Sequence, residues 1–473
     1  MQPIILINRP LVRDNKEFHV SRRKWQPLNL LYIATELQKN NLPVEIIDAR
    51  AFDYTAADIR KILLERKPDI VFIASEPYDF YQCPNPSLIS FYETILAAKE
   101  SGAKHIVSMG PQATIFDEYL LTNTNLTHII KGDDPMTAAK VLEHLAKQEN
   151  FSYTNVSFKN TAGIHLGITQ HLENLDELPV GNYNFLPMEK YSANMDIFAD
   201  KKFSIMTTSR GCPYQCQYCF KKLIGNKIRQ MSLPRIKAEL DELIKNQKNE
   251  AVYFVDDFFT FNKQRILDFC ALIKQENYNF IWGCQTRTDS VDKEMLVAMK
   301  EAGCIYISYG IESGNQAVEN RSGKNLDLKQ AEEIIKLTKN IGLIAHINMM
   351  YGFPDETKEE FNQTIDFLIC HEDYNLPGAI RFYPGSDYYE KLIPGKTLTE
   401  IEKISLDLSL TKLKQKDIDR GLAKLILFKK IKRKEYGLNF FYFLLKYLFP
   451  KFTTFLSSSR KRGSPRLRTG NEL

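Results

Sequence analysis

Two blocks of this sequence alternate short apolar runs with amphipathic segments, and this alternation constrains the fold more than any other feature. In the first 150 residues, five apolar runs are predicted strands and the segments between them are predicted helices. Five successive βα units predict a parallel, doubly wound α/β sheet with a ligand crevice beyond the carboxyl ends of its strands. The predicted strands are 3–8, 44–48, 69–75, 105–110 and 126–130, and the predicted helices lie near 28–40, 56–66, 88–101, 113–121 and 135–147.

The second block contains six βα units and predicts a partial (β/α)6 barrel. In such a barrel the chemistry lies at the carboxyl ends of the strands. Its predicted strands are 203–208, 251–256, 280–285, 304–310, 343–352 and 378–383, and its predicted helices lie near 234–248, 263–275, 292–302, 328–341 and 357–370.

The chain has 473 residues, which is too long for one ordinary hydrophobic core. Pro179 and Pro187 lie among Asn, Gly and Asp between the two blocks, where we predict a linker with a short hairpin. The predicted division is a doubly wound domain (1–150), a linker (151–200), a barrel (201–395), a helical C-terminal region (396–459) and a disordered basic tail (460–473).

The composition is 44% hydrophobic and 26% charged, which is typical of a soluble globular protein. Residues 424–473 carry a formal charge of +11, whereas residues 1–423 carry −6, so the charge gives no support for nucleic-acid binding by the body of the chain. We find no signal peptide after Met1 and no uninterrupted apolar stretch of ~20 residues. A cytoplasmic location is therefore expected.

Three of the eight cysteines, Cys212, Cys216 and Cys219, form a C-x3-C-x2-C cluster directly after the first predicted strand of the second block. Without an export signal, such a cluster indicates metal or redox chemistry rather than disulfides. A [4Fe–4S] cube bound by three thiolates keeps one iron open for another ligand. The alternatives are a structural zinc, which needs a fourth ligand that no nearby His or Cys pair supplies, and a chance grouping of buried cysteines.

The segment from Ser209 to Phe220 (SRGCPYQCQYCF) resembles the cysteine motif of the radical S-adenosylmethionine (SAM) superfamily. The resemblance implies that the methionyl amine and carboxylate of SAM bind the open iron. It also implies reductive cleavage of SAM to a 5′-deoxyadenosyl radical. Tyr218, the aromatic residue before the third cysteine, is expected near the adenine; the alternative is a packing tyrosine.

Segments at the ends of the later strands match the same superfamily in the same order. Asp256 and Asp257 lie where the family binds the methionyl amine, usually with Gly-Gly-Glu, so this match is approximate; a helix cap is the alternative. Arg287 is expected to contact the SAM carboxylate or ribose, or to form a structural ion pair. Glu312 and Ser313 resemble the G-x-E-S segment that contacts the ribose or carboxylate, again with a capping turn as the alternative. Residues 352–357 and 383–386 resemble the G-x-P-x-E-T and Y-P-G-T segments.

A doubly wound, flavodoxin-like domain before such a barrel resembles the cobalamin (B12)-binding subgroup of the superfamily. Gly110 and Gly132 end two of the predicted strands and are expected to let a large flat cofactor lie on the backbone. The D-x-H-x-x-G cobalt-ligand signature is absent, and His19, His105, His128 and His144 do not fit it. The alternative is a domain that binds no cofactor. The matching segments are 27–34, 44–48, 109–114 and 131–133.

The C-terminal region combines a basic run at 429–434 with aromatics, leucines and lysines at 440–456. Two interpretations stay open: peripheral contact with an anionic membrane, which would favour a lipid or isoprenoid substrate, and a helix packed on the barrel.

These observations predict a radical SAM enzyme with a [4Fe–4S] cluster, SAM and cobalamin as cofactors. We expect C-methylation, or a related radical transformation, of an unidentified small molecule, with a reductant such as flavodoxin or ferredoxin as partner. One alternative is a radical SAM enzyme without cobalamin, whose first domain shapes the substrate pocket. Another is a non-catalytic iron–sulfur electron carrier. A methylthiotransferase is disfavoured because no second cysteine triad precedes the barrel.

Overall fold

A computed structural model describes residues 2–11, 24–77, 88–193, 195–220, 223–371, 375–393, 408–432 and 434. Within these ranges, the strands form two main sheets and one short antiparallel pair. The α/β class and the order of the two sheets confirm the predicted fold.

The first sheet has the strand order β2-β1-β3-β4-β5-β6-β7 in the described part of the chain. Its first five strands are parallel, and the order 2-1-3-4-5 is that of the flavodoxin-like fold. These strands are β1 (Ile4–Asn8), β2 (Val44–Asp48), β3 (Ile70–Ala74), β4 (His105–Met109) and β5 (His128–Ile130). The helices are α1 (Leu28–Lys39), α2 (Ala56–Arg66), α3 (Ile89–Glu100), α4 (Pro111–Ile115), α5 (Asp117–Asn123) and α6 (Pro135–Lys147).

The predicted hairpin after residue 150 is β6 (Val156–Asn160) and β7 (Gly163–His165), and it pairs antiparallel with β5. The first sheet therefore continues past residue 150, while the other predicted domain boundaries stay predictions. Short helical turns follow at Leu175–Glu177, Tyr183–Phe185, Met188–Lys190 and Asp196–Phe198.

The second sheet is a parallel half-barrel with the order β8-β11-β12-β13-β14-β15 among the described residues. An antiparallel pair, β9 (Ser209–Arg210) with β10 (Arg229–Gln230), closes the cysteine loop. The barrel strands are β8 (Phe203–Met206), β11 (Ala251–Phe254), β12 (Ile281–Thr286), β13 (Cys304–Glu312), β14 (Ile344–Tyr351) and β15 (Gly378–Ala379). The helices are α7 (Leu233–Leu240, continued by a π-helical turn at Asp241–Asn246), α8 (Lys263–Gln275), α9 (Lys293–Glu301), α10 (Gln316–Arg321), α11 (Leu328–Asn340), α12 (Lys358–His371) and α13 (Asp387–Leu392). One-turn helices lie at Thr288–Ser290 and Leu408–Leu410.

The sixth barrel strand is shorter than predicted. Only Gly378 and Ala379 of the predicted 378–383 strand pair with β14, and one further backbone bond joins Ile380 to Tyr351. The reason is that β14 ends at Tyr351, since Gly352 has a φ of +88° and turns the chain away.

The segment before α1 joins the two sheets through the side chain of Gln26, which bonds to the backbone of β8. The Gln26 side chain donates to the carbonyl of Phe203 and accepts from the amide of Ile205, at 3.0 Å each. These bonds pair one backbone carbonyl and one backbone amide at the open edge of β8, which would otherwise be left without partners. Trp25 packs on Phe203 and Tyr253 at the base of the half-barrel.

The last described helix is α14 (Gln415–Lys432), which packs on α12. Its buried residues include Ile418, Ala423 and Leu425. No helix in the described ranges is long and apolar enough to cross a membrane. The basic aromatic segment at 440–456 and the predicted tail at 460–473 lie outside the described residues.

His128 at the start of β5 makes the first domain sensitive to acid. Burial, with a smaller effect from His105, lowers its pKa from 6.5 to about 4. The folded state therefore favours the neutral form of His128. The contribution of neutral His128 to the unfolding free energy is complete above pH ~6.5 and is lost as the pH falls towards ~4. Over that pH range the unfolding free energy of the wild type should fall, and that of His128→Gln should fall by about 2 kcal/mol less. Urea denaturation measures this difference. His144→Gln, at a partly exposed position, is the control; an unchanged pH profile in His128→Gln would contradict the prediction.

Candidate active site

The three cysteines lie in a loop whose shape is fixed by backbone hydrogen bonds. The β9–β10 pair closes the loop, and the amide of Cys212 donates to the carbonyl of Gly225 at 3.2 Å. Gly211 has a φ of +92°, and a Cβ there would lie 2.2 Å from the carbonyl oxygen of Lys227. Only glycine fits this close approach, so the loop needs Gly211 directly before its first cysteine.

The three thiols differ in exposure. Cys216 is buried, whereas Cys212 and Cys219 are half-buried. Burial raises the pKa of the Cys212 thiol, so cluster assembly must release its proton.

In the described part of the chain, no three Cys, His, Asp or Glu side chains converge on a position for a single metal ion. A tetrahedral zinc site requires such convergence. A cube does not, because each thiolate binds a different iron. Three thiolates are the donor set of a cluster with one open iron, whereas a structural zinc site needs four protein ligands.

The acidic pair after β11 holds this loop. Asp256 is fully buried and accepts bonds from the Thr208 amide (2.7 Å), the Thr208 hydroxyl (2.6 Å) and the Ser209 hydroxyl (2.7 Å). These bonds fix the corner between β8 and β9, and the predicted contact of Asp256 with the methionyl amine stays a prediction. Asp257 accepts from the amide of Gly211 at 2.7 Å, and its contact with SAM stays a prediction.

Arg287 forms the structural ion pair that the sequence left as one of two alternatives. It binds both carboxylate oxygens of Asp289 at 2.7 and 2.8 Å, and its guanidinium carbon lies 3.6 Å from the centroid of the Tyr214 ring in the cysteine loop. Its Nη1 is buried and has no hydrogen-bond partner among the described residues. An unpaired guanidinium nitrogen beside the cysteines fits an anionic group such as a carboxylate.

Glu312 and Ser313 follow each other, but the structure separates their roles. Glu312 has a φ of +75°, and its carboxylate lies 3.1 Å from the ammonium of Lys324. The hydroxyl of Ser313 is fully buried, bonds to Thr364 and accepts from the amide of Asn315. This hydroxyl stabilises the turn before α10, and the predicted contact of Ser313 with SAM stays a prediction.

Lys324 is a candidate site residue that the sequence analysis missed. It is buried, and Glu312 and Cys216 help to raise the pKa of its ammonium against the effect of burial. The Glu312–Lys324 pair lies over Gly310, where a Cβ would be 2.6 Å from the carboxylate and 2.9 Å from the ammonium. Lys324 lies twelve residues after Glu312 in a loop, and no strand or helix pattern singles it out.

Tyr218 lies between the second and third cysteines, and its ring packs edge-on against Phe353, with 6.1 Å between ring centroids. Burial raises the pKa of its hydroxyl well above the usual range. Its predicted position near the adenine is not tested by these contacts and stays a prediction.

A buried ionic cluster joins the cysteine loop to the first sheet. Asp133, just beyond β5, forms a bidentate pair with Arg229 at 3.0 and 3.1 Å and accepts from Nδ1 of His171 at 3.0 Å. Its backbone carbonyl accepts from Arg210 at 2.6 Å, and Arg210 also binds Asn29. Burial opposes ionisation, but the His171 bond and the two arginines lower the pKa of Asp133.

The two strand-end glycines of the first sheet face protein rather than open space. A Cβ at Gly110 would lie 2.4 Å from the Ser75 hydroxyl, and one at Gly132 would lie 1.7 Å from the carbonyl oxygen of Gln170. Both have positive φ angles, of +125° and +112°. These positions therefore need glycine for internal packing, and the predicted contact of a flat cofactor with the backbone at Gly110 and Gly132 stays a prediction.

The crevice at the carboxyl edge of this sheet holds buried charges. Glu76 pairs with Arg9 and Arg50, and both partners are almost fully buried. The side-chain oxygens of Asn8 and Ser75 are buried without a hydrogen-bond partner among the described residues, which fits a polar ligand in this crevice. His105 and His128 begin β4 and β5, so they lie at the opposite edge. His19 lies outside the described residues.

Comparisons with known proteins agree with this site. Residues 206–368 match the radical SAM superfamily model. An uncharacterized methyltransferase of Pyrococcus horikoshii is 32% identical over 378 residues, which cover 79% of each chain. The anaerobic magnesium-protoporphyrin IX monomethyl ester cyclase of Rubrivivax gelatinosus is 21% identical, over 84% of this chain and 71% of the cyclase.

Two solved structures share the fold of both sheets. The cobalamin-dependent SAM radical enzyme OxsB, solved with aqua-cobalamin, superposes with a TM-score of 0.63 at 18% identity, over 92% of this chain and 62% of OxsB. The radical SAM methyltransferase TsrM of Kitasatospora setae, solved with cobalamin and a [4Fe–4S] cluster, superposes with a TM-score of 0.62 at 15% identity, over 82% of this chain and 73% of TsrM. The chain is an enzyme that belongs to the radical SAM superfamily.

Proposed function

We propose that this protein is a cobalamin-dependent radical SAM methyltransferase that acts on an unactivated carbon of a small molecule. The observation that carries the proposal is the buried cluster around Asp133. Asp133 follows β5 at the carboxyl edge of the first sheet, and Arg210 follows β8 at the carboxyl edge of the half-barrel. Ligands of both folds bind at these edges. Because the two edges meet, cofactors bound at each would share one space.

The two cofactors would supply different parts of the reaction. When bound, the cluster supplies the electron that cleaves SAM to methionine and a 5′-deoxyadenosyl radical. When bound, cobalamin supplies the methyl group, which a second SAM replaces. The protein contributes binding, orientation and exclusion of water.

This chain's own residues account for those contributions. Cys212, Cys216 and Cys219 would hold the cluster, and Lys324 and Nη1 of Arg287 offer positive charge to the SAM carboxylate. Glu312 offers a carboxylate to the amine or the ribose hydroxyls. Asp257 and the Asp133 cluster hold the cysteine loop in place.

Relatives with this fold include enzymes named for several activities, among them a hopanoid C-3 methylase of Methylococcus capsulatus. The methyl-transfer assignment for this chain therefore needs its own product analysis. We also propose a flavodoxin or ferredoxin as the reductant, because the site uses single electrons. The membrane contact of the basic C-terminal segment stays a hypothesis that rests on its composition.

The test is anaerobic reconstitution with iron, sulfide and hydroxocobalamin, followed by SAM and dithionite. We expect stoichiometric cobalamin and the release of both 5′-deoxyadenosine and S-adenosylhomocysteine. If 5′-deoxyadenosine forms and cobalamin does not bind, the first domain only shapes the pocket. If neither product forms while the cluster is intact, the protein is an electron carrier and the proposal is wrong.

Lys324→Met tests the assignment of the SAM pocket. The variant removes the positive charge and leaves Glu312 buried without its partner, so the Kd for SAM should rise at least about tenfold. The measurement is equilibrium dialysis of SAM against reconstituted enzyme. Lys263→Met, which breaks a surface ion pair with Asp292, is the control. An unchanged Kd in Lys324→Met, with the cluster intact, would remove Lys324 from the pocket.

A further inference from the structure

The interior of the half-barrel contains a polar layer beside the residues assigned to the cofactor sites. Strand register places Gln285 beside Ser308, and Gly310 beside Asn348. The amide of Asn348 bonds to the hydroxyl of Ser308 at 2.6 Å, which shows that these side chains share the inner face. Gln285 and Asn348 are half-buried, so the interior is accessible at this level.

An aromatic floor closes the barrel below this layer. The rings of Phe198, Tyr253 and Tyr306 have centroids 6.2–6.5 Å apart, and all three are buried. His346 stacks on Tyr306 at 5.5 Å. The polar layer therefore lies between this floor and the strand ends that carry Arg287 and Glu312.

The hydrogen bond of Gln285 fixes which of its amide atoms faces the interior. Nε2 of Gln285 donates to the backbone carbonyl of Asp256 at 3.0 Å, and a carbonyl can only accept, so the amide cannot be flipped. Its Oε1 has no donor among the described residues, and it is not among their buried unpaired atoms, so it is accessible. The Asn348 amide bonds to the Ser308 hydroxyl, which can donate or accept, so the other end of this amide offers either a donor or an acceptor to the interior.

We propose that the substrate binds in this layer and presents an N–H or O–H donor to Oε1 of Gln285, with the Asn348 amide as a second hydrogen-bonding partner. The inference rests on the proposed function and adds a substrate class to it. The part of the substrate nearest the chemistry is a polar, donor-bearing group, not a bare hydrocarbon. A purely apolar group there would bury the amide oxygen of Gln285 without a partner, which is costly.

The proposal is tested with two isosteric probes, indole and indene, of which only indole has an N–H donor. A flat probe suits the aromatic floor. Equilibrium dialysis against reconstituted holoenzyme with SAM should show about fivefold tighter binding of indole, the effect of one hydrogen bond. Asn348→Leu and Gln285→Met should each reduce or abolish this preference. Thr338→Val, which breaks the bond to Tyr309 on the outer face of β13, should keep it.

Equal binding of the two probes by the wild type would overturn the proposal, and so would an unchanged preference in both Asn348→Leu and Gln285→Met. Two variants of the polar layer are used so that misfolding of one does not decide the result. SAM cleavage is measured separately on the same preparations. Absence of 5′-deoxyadenosine in the wild type would count against the proposed function, whereas the probe preference tests the polar layer alone.

Discussion

Replacing Cys216 with alanine is expected to abolish SAM cleavage. Cys216 is the buried cysteine of the three, and without it the loop offers two thiolates to a cube that needs three from the protein. Because losing even an outer-shell partner of a metal site costs up to ~100-fold in metal affinity or activity, loss of a direct ligand should cost more. The measurements are iron and sulfide content after anaerobic reconstitution, and the rate of 5′-deoxyadenosine release.

Cys284→Ala is the matched control for this variant. Cys284 is also fully buried, but it lies in the barrel wall on β12, away from the loop. We expect it to retain the cluster and the activity. Full iron content in Cys216→Ala, or equal losses in both variants, would contradict the assignment of the loop.

Asp133→Asn is expected to cause loss of iron from the cluster, although Asp133 is not one of its ligands. The carboxylate of Asp133 neutralises Arg229 and approaches Arg210, and both arginines are almost fully buried. Removing one partner of a buried ion pair typically costs about 3–5 kcal/mol, because the remaining charge is left without compensation. Arg210 directly precedes Gly211 and Cys212, so we expect displacement of the cysteine loop and loss of iron.

Glu239→Gln separates this effect from general destabilisation. Glu239 is fully buried and forms an ion pair with Arg235 at 2.7 Å within α7, away from the cysteine loop. Both variants should have lower unfolding free energies, but only Asp133→Asn should change the electron paramagnetic resonance spectrum of the reduced cluster. Identical spectra in Asp133→Asn and the wild type would show that this ion pair does not position the loop.

Most of the fold could be predicted from the sequence because its elements follow regular periods. β2, α2, α6 and α8 have the predicted bounds, and each of the three helices begins after a residue whose side chain caps it. Thr55, for example, forms a capping box with Asp58 before α2. The predicted length of β15 was too great, because apolar residues form a strand only where a neighbouring strand continues beside them. β14 ends at Tyr351, so the pairing of β15 also ends there.

The site was less predictable, since side-chain roles depend on contacts between distant segments. The motif singled out Glu312, Asp256 and Ser313, but it could not show that Glu312 pairs with Lys324, that Asp256 bonds to Thr208 or that Ser313 bonds to the turn before α10. Lys324, Arg229 and Asp133 became visible only in three dimensions, because Lys324 and Asp133 lie in loops and Arg229 lies in a strand of two residues, too short to show a periodic pattern. Gly110 and Gly132 have the backbone angles expected of strand-end glycines, yet the atoms they approach belong to the protein itself.

The central claim is that three thiolates leave one iron of a [4Fe–4S] cluster open for SAM. The most direct measurement is electron paramagnetic resonance of the reduced, anaerobically reconstituted enzyme with and without SAM. The account predicts a [4Fe–4S]⁺ signal whose g-values shift when SAM is added. A signal that SAM does not alter, or a preparation that contains zinc in place of iron, would contradict it.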